Sequence, residues 1–277
     1  MKRLKMFILV LASLATVGCA EKNITKDVES YTEPQETSWK LVWNDEFDKD
    51  GLPDSSKWSF EVQKPGWVNQ ELQNYTDKRL ENCRIENGKL IIEARKDNYQ
   101  GMEYSSSRIK TEGKAEWKYG KVEVRAKLPK GKGTWPAIWM MPTNNIHGGW
   151  PNSGEIDIME NVGYEPGVIH TSLHSRDNNF MNGKMRTASM TIPNVEDDFH
   201  NYILEWTETT IKVYVDKTLI GNWTKPTNAD WGTWPWDDKY HLILNLAVGG
   251  SWGGQQGVDT NIWPQKMEVD YVRVYQK

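Results

Sequence analysis

Lys121–Leu128, KVEVRAKL, decides the fold class. In an extended chain Val122, Val124, Ala126 and Leu128 share one face, and Lys121, Glu123, Arg125 and Lys127 share the other. Such alternation marks a strand with one side in a core and one in water. Nine further stretches alternate or are rich in β-branched residues: KLVWNDEF (40–47), GKLIIEAR (88–95), TWPAIWMM (134–141), GEIDIMEN (154–161), VIHTSLHS (168–175), NYILEWTE (201–208), TIKVYVDK (210–217), HLILNLAV (241–248) and MEVDYVRVYQ (267–276). Asn-Gly, Pro-Gly, Gly-Gly and Asp-Lys turn signals lie between them. In the last stretch Val269, Tyr271 and Arg273 alternate with Asp270, Val272 and Val274, so both faces carry apolar groups, as in a strand covered on both sides. No segment sustains a 3.6-residue apolar stripe. Parallel α/β architectures are therefore excluded, and an all-β antiparallel sandwich or barrel is expected. A curved sandwich sheet has a concave face that suits an extended polymer.

The chain of 277 residues has a formal net charge of −4, which gives no reason to expect nucleic acid or an anionic membrane surface as partner. It holds 15 Trp and 11 Tyr against 5 Phe, and flat rings with a polar handle suit both cores and sugar-stacking surfaces. At the start, Lys2, Arg3 and Lys5 precede an apolar run from Met6 to Ala15 that is too short to span a membrane. This reads as an export signal over residues 1–18. The run ATVG before Cys19 resembles a bacterial lipoprotein lipobox, with Thr16 where Leu is usual. That resemblance implies lipid on Cys19, residues 19–36 as a polar tether, and a folded domain over residues 37–277, held at the bacterial outer membrane and facing outward. Membrane contact would be through the lipid alone, with the domain monomeric. Cys83 is the other cysteine, so a cysteine metal cluster is excluded.

Gly154–Gly163, GEIDIMENVG, carries the chemistry. Glu155 and Asp157 share a strand face, and Glu160 falls on the opposite one. Two carboxylates beside a glycosidic bond are the equipment of glycoside hydrolysis, one ionised to attack carbon and one protonated to donate to the leaving oxygen. A third between them, Asp157, would hold the nucleophile and help decide where the proton resides. This requires all three on one face, so a β-bulge is expected near Ile158–Met159. Calcium binding is the rival reading, but the spacing lacks the Gly turn and long loop of an EF-hand. A solvated face is the other, against which Ile156, Ile158 and Met159 argue for a buried side.

GEIDIMENVG resembles the E-x-D-x-x-E signature of family 16 glycoside hydrolases, in the form that laminarinases and related endo-glucanases carry. WNDEFD, NQELQNYT, ENGKLIIEAR, SSRIKTEGK, YGKVEVRAKLP, GTWPAIWMMP, GGWPNSGEID, NLAVGGSWGG and MEVDYVRVYQ resemble that family's blocks in its order, over about residues 37–277. The resemblance implies a β-jelly-roll with a concave cleft and endo-cleavage with retention, with no cofactor in catalysis. Glu155 would be nucleophile, Asp157 its assisting carboxylate and Glu160 the acid/base. It implies further that Asn69 and Glu71 border the cleft, although PGWVNQ replaces the usual glycine-rich run there. Arg108 would contact sugar and the nucleophile carboxylate, Trp135 and Trp150 would stack on glucose rings, and His174 would lie near the acid/base. Trp139 shares Trp135's parity, and His170 is read as structural. On a strand His170 and His174 lie about 13 Å apart, too far for one metal. Glu46, Gly88 and Asp270 match positions that in many members hold a structural calcium ion. The implied substrates are mixed-linkage β-1,3/1,4-glucan, laminarin, or both. A non-catalytic surface glycan-binding lipoprotein, and an enzyme for agar or porphyran, are the alternatives.

Overall fold

A computed structural model of the protein describes residues 38–277. The export signal, Cys19 and the whole of the tether lie outside the described residues. Seventeen strands follow in order: β1 Lys40–Asp45, β2 Ser59–Phe60, β3 Gln73–Tyr75, β4 Cys83–Ile85, β5 Leu90–Lys96, β6 Tyr104–Ser106, β7 Arg108–Lys110, β8 Gly120–Lys127, β9 Thr134–Pro142, β10 Glu155–Glu160, β11 Val168–His174, β12 Arg186–Thr191, β13 His200–Trp206, β14 Thr210–Val215, β15 Thr218–Thr224, β16 Tyr240–Val248 and β17 Gln265–Gln276. Two 3₁₀ turns, Tyr99–Gly101 and Phe180–Asn182, are the helical elements among the described residues.

The strands form two sheets. One runs β15-β14-β13-β8-β17-β5-β6-β3, with β1 also on β17 and β4 also on β5. The other runs β12-β11-β10-β9-β16-β7-β2. Every pairing is antiparallel except β3 with β6. Between the sheets lies one continuous core. Val122, Val124 and Ala126 of β8 and Met267, Val269, Val272 and Val274 of β17 enter it from the first sheet. Ile138 and Met140 of β9, Ile156, Ile158 and Met159 of β10, and Leu242, Leu244, Leu246 and Val248 of β16 enter from the second. Burying each of the Val, Leu, Ile and Met side chains contributes about 1.5–3 kcal/mol relative to leaving it in water, and the aligned two-sheet sandwich follows from that need.

Two features differ from expectation. Strand β17 is not covered on both sides. Its register against β8 shifts between Val269 and Tyr271, so Val269 and Val272, three apart, both reach the core. Tyr271 and Arg273 face outward, where Tyr271 donates to Glu123 and Arg273 to Glu46. Apolar groups at both parities therefore record a bulge at Asp270, not a second covering layer. Seven strands also carry no strong alternation. Five of them, β2, β3, β4, β6 and β7, span two or three residues, and β12 is an exposed edge.

Candidate active site

On β10 the register against β9 pairs Ile156 with Met140 and Asp157 with Trp139, then Met159 with Ile138 and Glu160 with Ala137. Ile158 is the extra residue. Against β11, Asp157 faces Ser172 and Glu160 faces His170, three residues on one strand against two on the other. Past this bulge the parity is reversed. Ile156, Ile158 and Met159 are fully buried in the core, and Glu155, Asp157 and Glu160 all line the cleft on the opposite face.

Neighbouring strands alternate in the same sense. Trp135, Ala137, Trp139 and Met141 of β9, Asn245 and Ala247 of β16, and Arg108 of β7 line a cleft of about 370 Å³. The loop carrying Trp67, Val68, Asn69 and Glu71 walls one side, and Trp150 and Phe180 line it too. The backbone of β10 is held by side chains that donate to its carbonyls: Trp236 Nε1 to Glu155 at 3.0 Å and Thr171 Oγ1 to Asp157 at 2.6 Å. Tyr240 Oη donates to Ser153 O just upstream, at 2.6 Å.

Burial dominates the electrostatics. It pushes the Glu155 carboxyl up to about 8, with the Asp157 charge adding to the rise and His174 opposing it. Glu160 is pushed up to about 7, first by burial and then by the Glu155 charge. Asp157 is raised by burial and by the Glu160 charge, and its side chain is only 3% exposed against 16% for Glu155. Carboxylates this close oppose one another's ionisation, so the group retains protons near neutral pH. Trp135 Nε1 donates to Glu160 Oε1 at 3.1 Å.

The remaining sequence-derived residues separate into groups. Asn69 borders the cleft and donates to Glu71 at 3.2 Å, and Gln73 donates to the other Glu71 oxygen at 2.7 Å. The altered loop keeps its form through left-handed Asn69 and Gln70, and Ser251 N donates to Asn69 O at 2.6 Å. Trp150 lies on the rim, its ring 5.8 Å from His174 and 5.3 Å from Phe180. Trp139 is a cleft residue, held by donation to Asn245 Oδ1 at 2.7 Å.

Three expectations need correction. Arg108 pairs with Glu61, Nε to Oε2 at 2.6 Å, not with Glu155. Its guanidinium lies between Trp67 and Trp139, 5.1 and 4.6 Å from their rings. His174 lies opposite Glu155, with Nε2 3.2 Å from Asp157 Oδ2 and 3.9 Å from Glu155 Oε1, while Glu160 faces His170. His174 is buried behind the acids and does not line the cleft. Glu46, Gly88 and Asp270 do not fit a calcium ion as folded. Both Glu46 oxygens accept from Arg273, at 2.9 and 2.8 Å, and Asp270 pairs with Arg125 at 2.5 Å, so each carboxylate is already neutralised.

Sequence reasoning missed Trp67, Phe180, Asn245 and Glu61. Asn245 had a signal, as the one polar residue within the apolar run LILNLAV (242–248). Phe180 and Glu61 had none, because their positions depend on long-range packing.

Comparison with known proteins follows the same lines. The model of glycosyl hydrolases family 16 matches residues 69–273. A beta-glucanase of Rhodothermus marinus is 52% identical over 244 residues, covering 86% of this chain and 85% of that protein. The X-ray structure of a laminarinase from Rhodothermus marinus superposes with a TM-score of 0.84 at 51% identity, covering 86% of this chain and 98% of that one. SCLam, described as a non-specific endo-β-1,3(4)-glucanase, superposes with a TM-score of 0.83 at 47% identity, over 87% and 92% of the two chains.

Arg108 is buried and Glu61 half-buried, and Glu61 also accepts from Lys110 at 3.0 Å, so removing the Glu61 charge leaves the buried Arg108 uncompensated. Glu61→Gln should destabilise the fold by about 3 kcal/mol, and Arg108→Met in the same chain should recover part of that loss. Urea midpoints of the two single variants and the double variant check this. Additive losses would show that the pair is not coupled.

Proposed function

The chain belongs to glycosyl hydrolases family 16, and on that premise we propose that it is a retaining endo-β-glucanase acting on mixed-linkage β-1,3/1,4-glucan and laminarin. The observation that carries this reading is the bulge that puts Glu155, Asp157 and Glu160 on one face of β10 at the floor of an aromatic-lined cleft. In the first step a Glu155 oxygen attacks the anomeric carbon, and Glu160 gives its proton to the departing glycosidic oxygen. In the second, Glu160 takes a proton from water, whose oxygen displaces Glu155 and restores the configuration. Asp157 is the natural holder of the resident proton, being the most deeply buried of the three. A proton there removes the Asp157 charge that raises Glu155 and supplies a hydrogen-bond donor to it, so Glu155 can ionise. Burial and the Glu155 charge raise Glu160 enough for its carboxyl to keep its proton, against the opposing pull of the His174 ring and the Trp135 indole that donates to it. An aromatic-lined cleft suits a sugar polymer, and the two linkages are supported by the description of SCLam.

We also propose that residues 1–18 are removed, that Cys19 is lipidated, and that residues 19–36 tether a monomeric domain to the outer membrane, facing the medium. The charged start, the short apolar run and the lipobox-like ATVG before Cys19 support this. Fatty-acid labelling of the expressed chain should be lost in Cys19→Ser. Labelling that persists would overturn it.

Release of reducing ends from barley β-glucan, lichenan, laminarin and agarose tests the activity. The two classes of β-glucan should be cleaved and agarose should not. Glu155→Gln and Glu160→Gln should each lose most turnover while staying folded. With an aryl β-glycoside, azide should rescue Glu155→Ala as the α-glycosyl azide and Glu160→Ala as the β-anomer. Opposite anomers would reverse the roles, and cleavage of agarose alone would move the enzyme to another polysaccharide. Binding without cleavage would make it a glycan-binding protein.

The pH profile has a defined sign. Glu160 must be protonated to donate, so kcat/KM should fall as pH rises through about 7. Glu155 with Asp157 ionised is pushed up to about 8, above Glu160, so the limbs belong to the interacting acids together. With the shared proton held on Asp157, Glu155 ionises below that value, and kcat/KM should fall again at acid pH as the cluster gains a proton on Glu155. A substrate whose leaving group needs no proton should lose the alkaline limb. If that limb persists, a group other than Glu160 sets it.

A further inference from the structure

Among the described residues, three ligand-type atoms converge at one point: an oxygen of Glu155, an oxygen of Asp157 and a ring nitrogen of His174, all within 4.8 Å of one another. His174 Nε2 is 3.2 Å from Asp157 Oδ2 and 3.9 Å from Glu155 Oε1. Asp157 Oδ2 is fully buried and has no hydrogen-bond partner. It points at a nitrogen that can offer a lone pair, with no arginine or lysine paired to any of the three. Such a cluster needs a cation between its members, either a proton or a metal ion.

We propose that Glu155, Asp157 and His174 form a reversible binding site for a divalent transition-metal ion of the zinc class, which displaces the resident proton and blocks the cleft. Zinc takes carboxylate oxygen and imidazole nitrogen at about 2.0–2.2 Å, which places neighbouring tetrahedral ligands roughly 3.3 Å apart. Shifts of about an ångström or less in side chains bring the three atoms to that spacing. The β10–β11 register, with Glu155 opposite His174, supplies the frame. The fourth position faces the cleft through Glu155, the most exposed of the three. His174 Nδ1 is buried without a partner, so the imidazole lacks the hydrogen bond that strengthens ligands in permanent zinc sites. The site is thus one of exchange, not of structure. That blocking the cleft inhibits turnover rests on the proposed hydrolase reading. Binding itself does not.

The test titrates Zn²⁺ alone into the metal-free full chain by calorimetry, with Co²⁺ visible absorption reporting the ligand set. One ion per chain is expected, with affinity about tenfold or more weaker in Asp157→Asn and in His174→Gln. Thermal melts establish that both variants are folded, and the isosteric Asp157→Asn serves if His174→Gln is not. His170→Gln and His200→Gln remove the two other histidine–carboxylate pairs, His170–Glu165 and His200–Asp216, and should bind as the parent does. Absence of Zn²⁺ binding overturns the proposal, as does binding lost in His170→Gln or His200→Gln but kept in Asp157→Asn. A chain that binds Zn²⁺ as expected but cleaves no glucan refutes the hydrolase reading and leaves the metal site standing.

Discussion

Side-chain parity on β10 is the constraint on which the site depends. A strand in a two-sheet sandwich has one face for the core and one for the cleft. Here three apolar residues at 156, 158 and 159 and three acids at 155, 157 and 160 must be sorted between those faces. No regular strand can do this, since 155 and 160 differ in parity. One unpaired residue, Ile158, resolves the conflict. The lost ladder pairing is offset by full burial of Ile158 and Met159 and by the Trp236 and Thr171 bonds to β10 carbonyls. The same device recurs at Asp270, where it keeps Val269 and Val272 in one core. Bulges in this fold let a sequence meet two periodicities at once.

Burial of three acids on that face would be unfavourable if all were ionised. The usual remedy is an arginine, and Arg108 is in the cleft. It is taken up instead by Glu61 and by the faces of Trp67 and Trp139. This arrangement matters chemically. A guanidinium against Glu155 would hold that carboxylate ionised and lower the whole cluster's affinity for protons. With His174 as the adjacent basic group, the cluster keeps titratable character near neutral pH, as an acid/base cycle needs.

Much of this was legible in the sequence. The ten stretches that alternate or are rich in β-branched residues all form strands, because that pattern is local to each stretch. The bulge was legible too, since spacing 0, 2, 5 among acids with apolar residues between them admits few other solutions. Five two- or three-residue strands were not, because polar runs such as Gln73–Tyr75 are buried by their hydrogen bonds and not by apolar pattern. Arg108 was recognised as a site residue but given the wrong carboxylate, and His174 was placed near Glu160, whose carboxyl its charge does reach, without its cross-strand partner Glu155. Cross-strand register decides those neighbours, and register is a property of pairs of strands. Nothing in one stretch reveals that position 174 faces 155 and not 160.

The tryptophans show why composition alone could not locate the cleft. Trp58, Trp206, Trp234 and Trp236 are buried, while Trp67, Trp139 and Trp150 remain partly exposed and line the cleft. Four of the indoles show two ways of being held. Trp206 and Trp236 donate to backbone carbonyls and so fix the scaffold. Trp135 and Trp139 donate to cleft side chains, Glu160 and Asn245, and so are fixed by the site they line. Those two stand on β9, which sets their spacing from the acids. Trp67, Trp150 and Phe180 stand on loops at the cleft margins, outside the strands. The three acids are therefore held by strand register, while the cleft margins are lined by side chains on loops and on the Phe180–Asn182 turn.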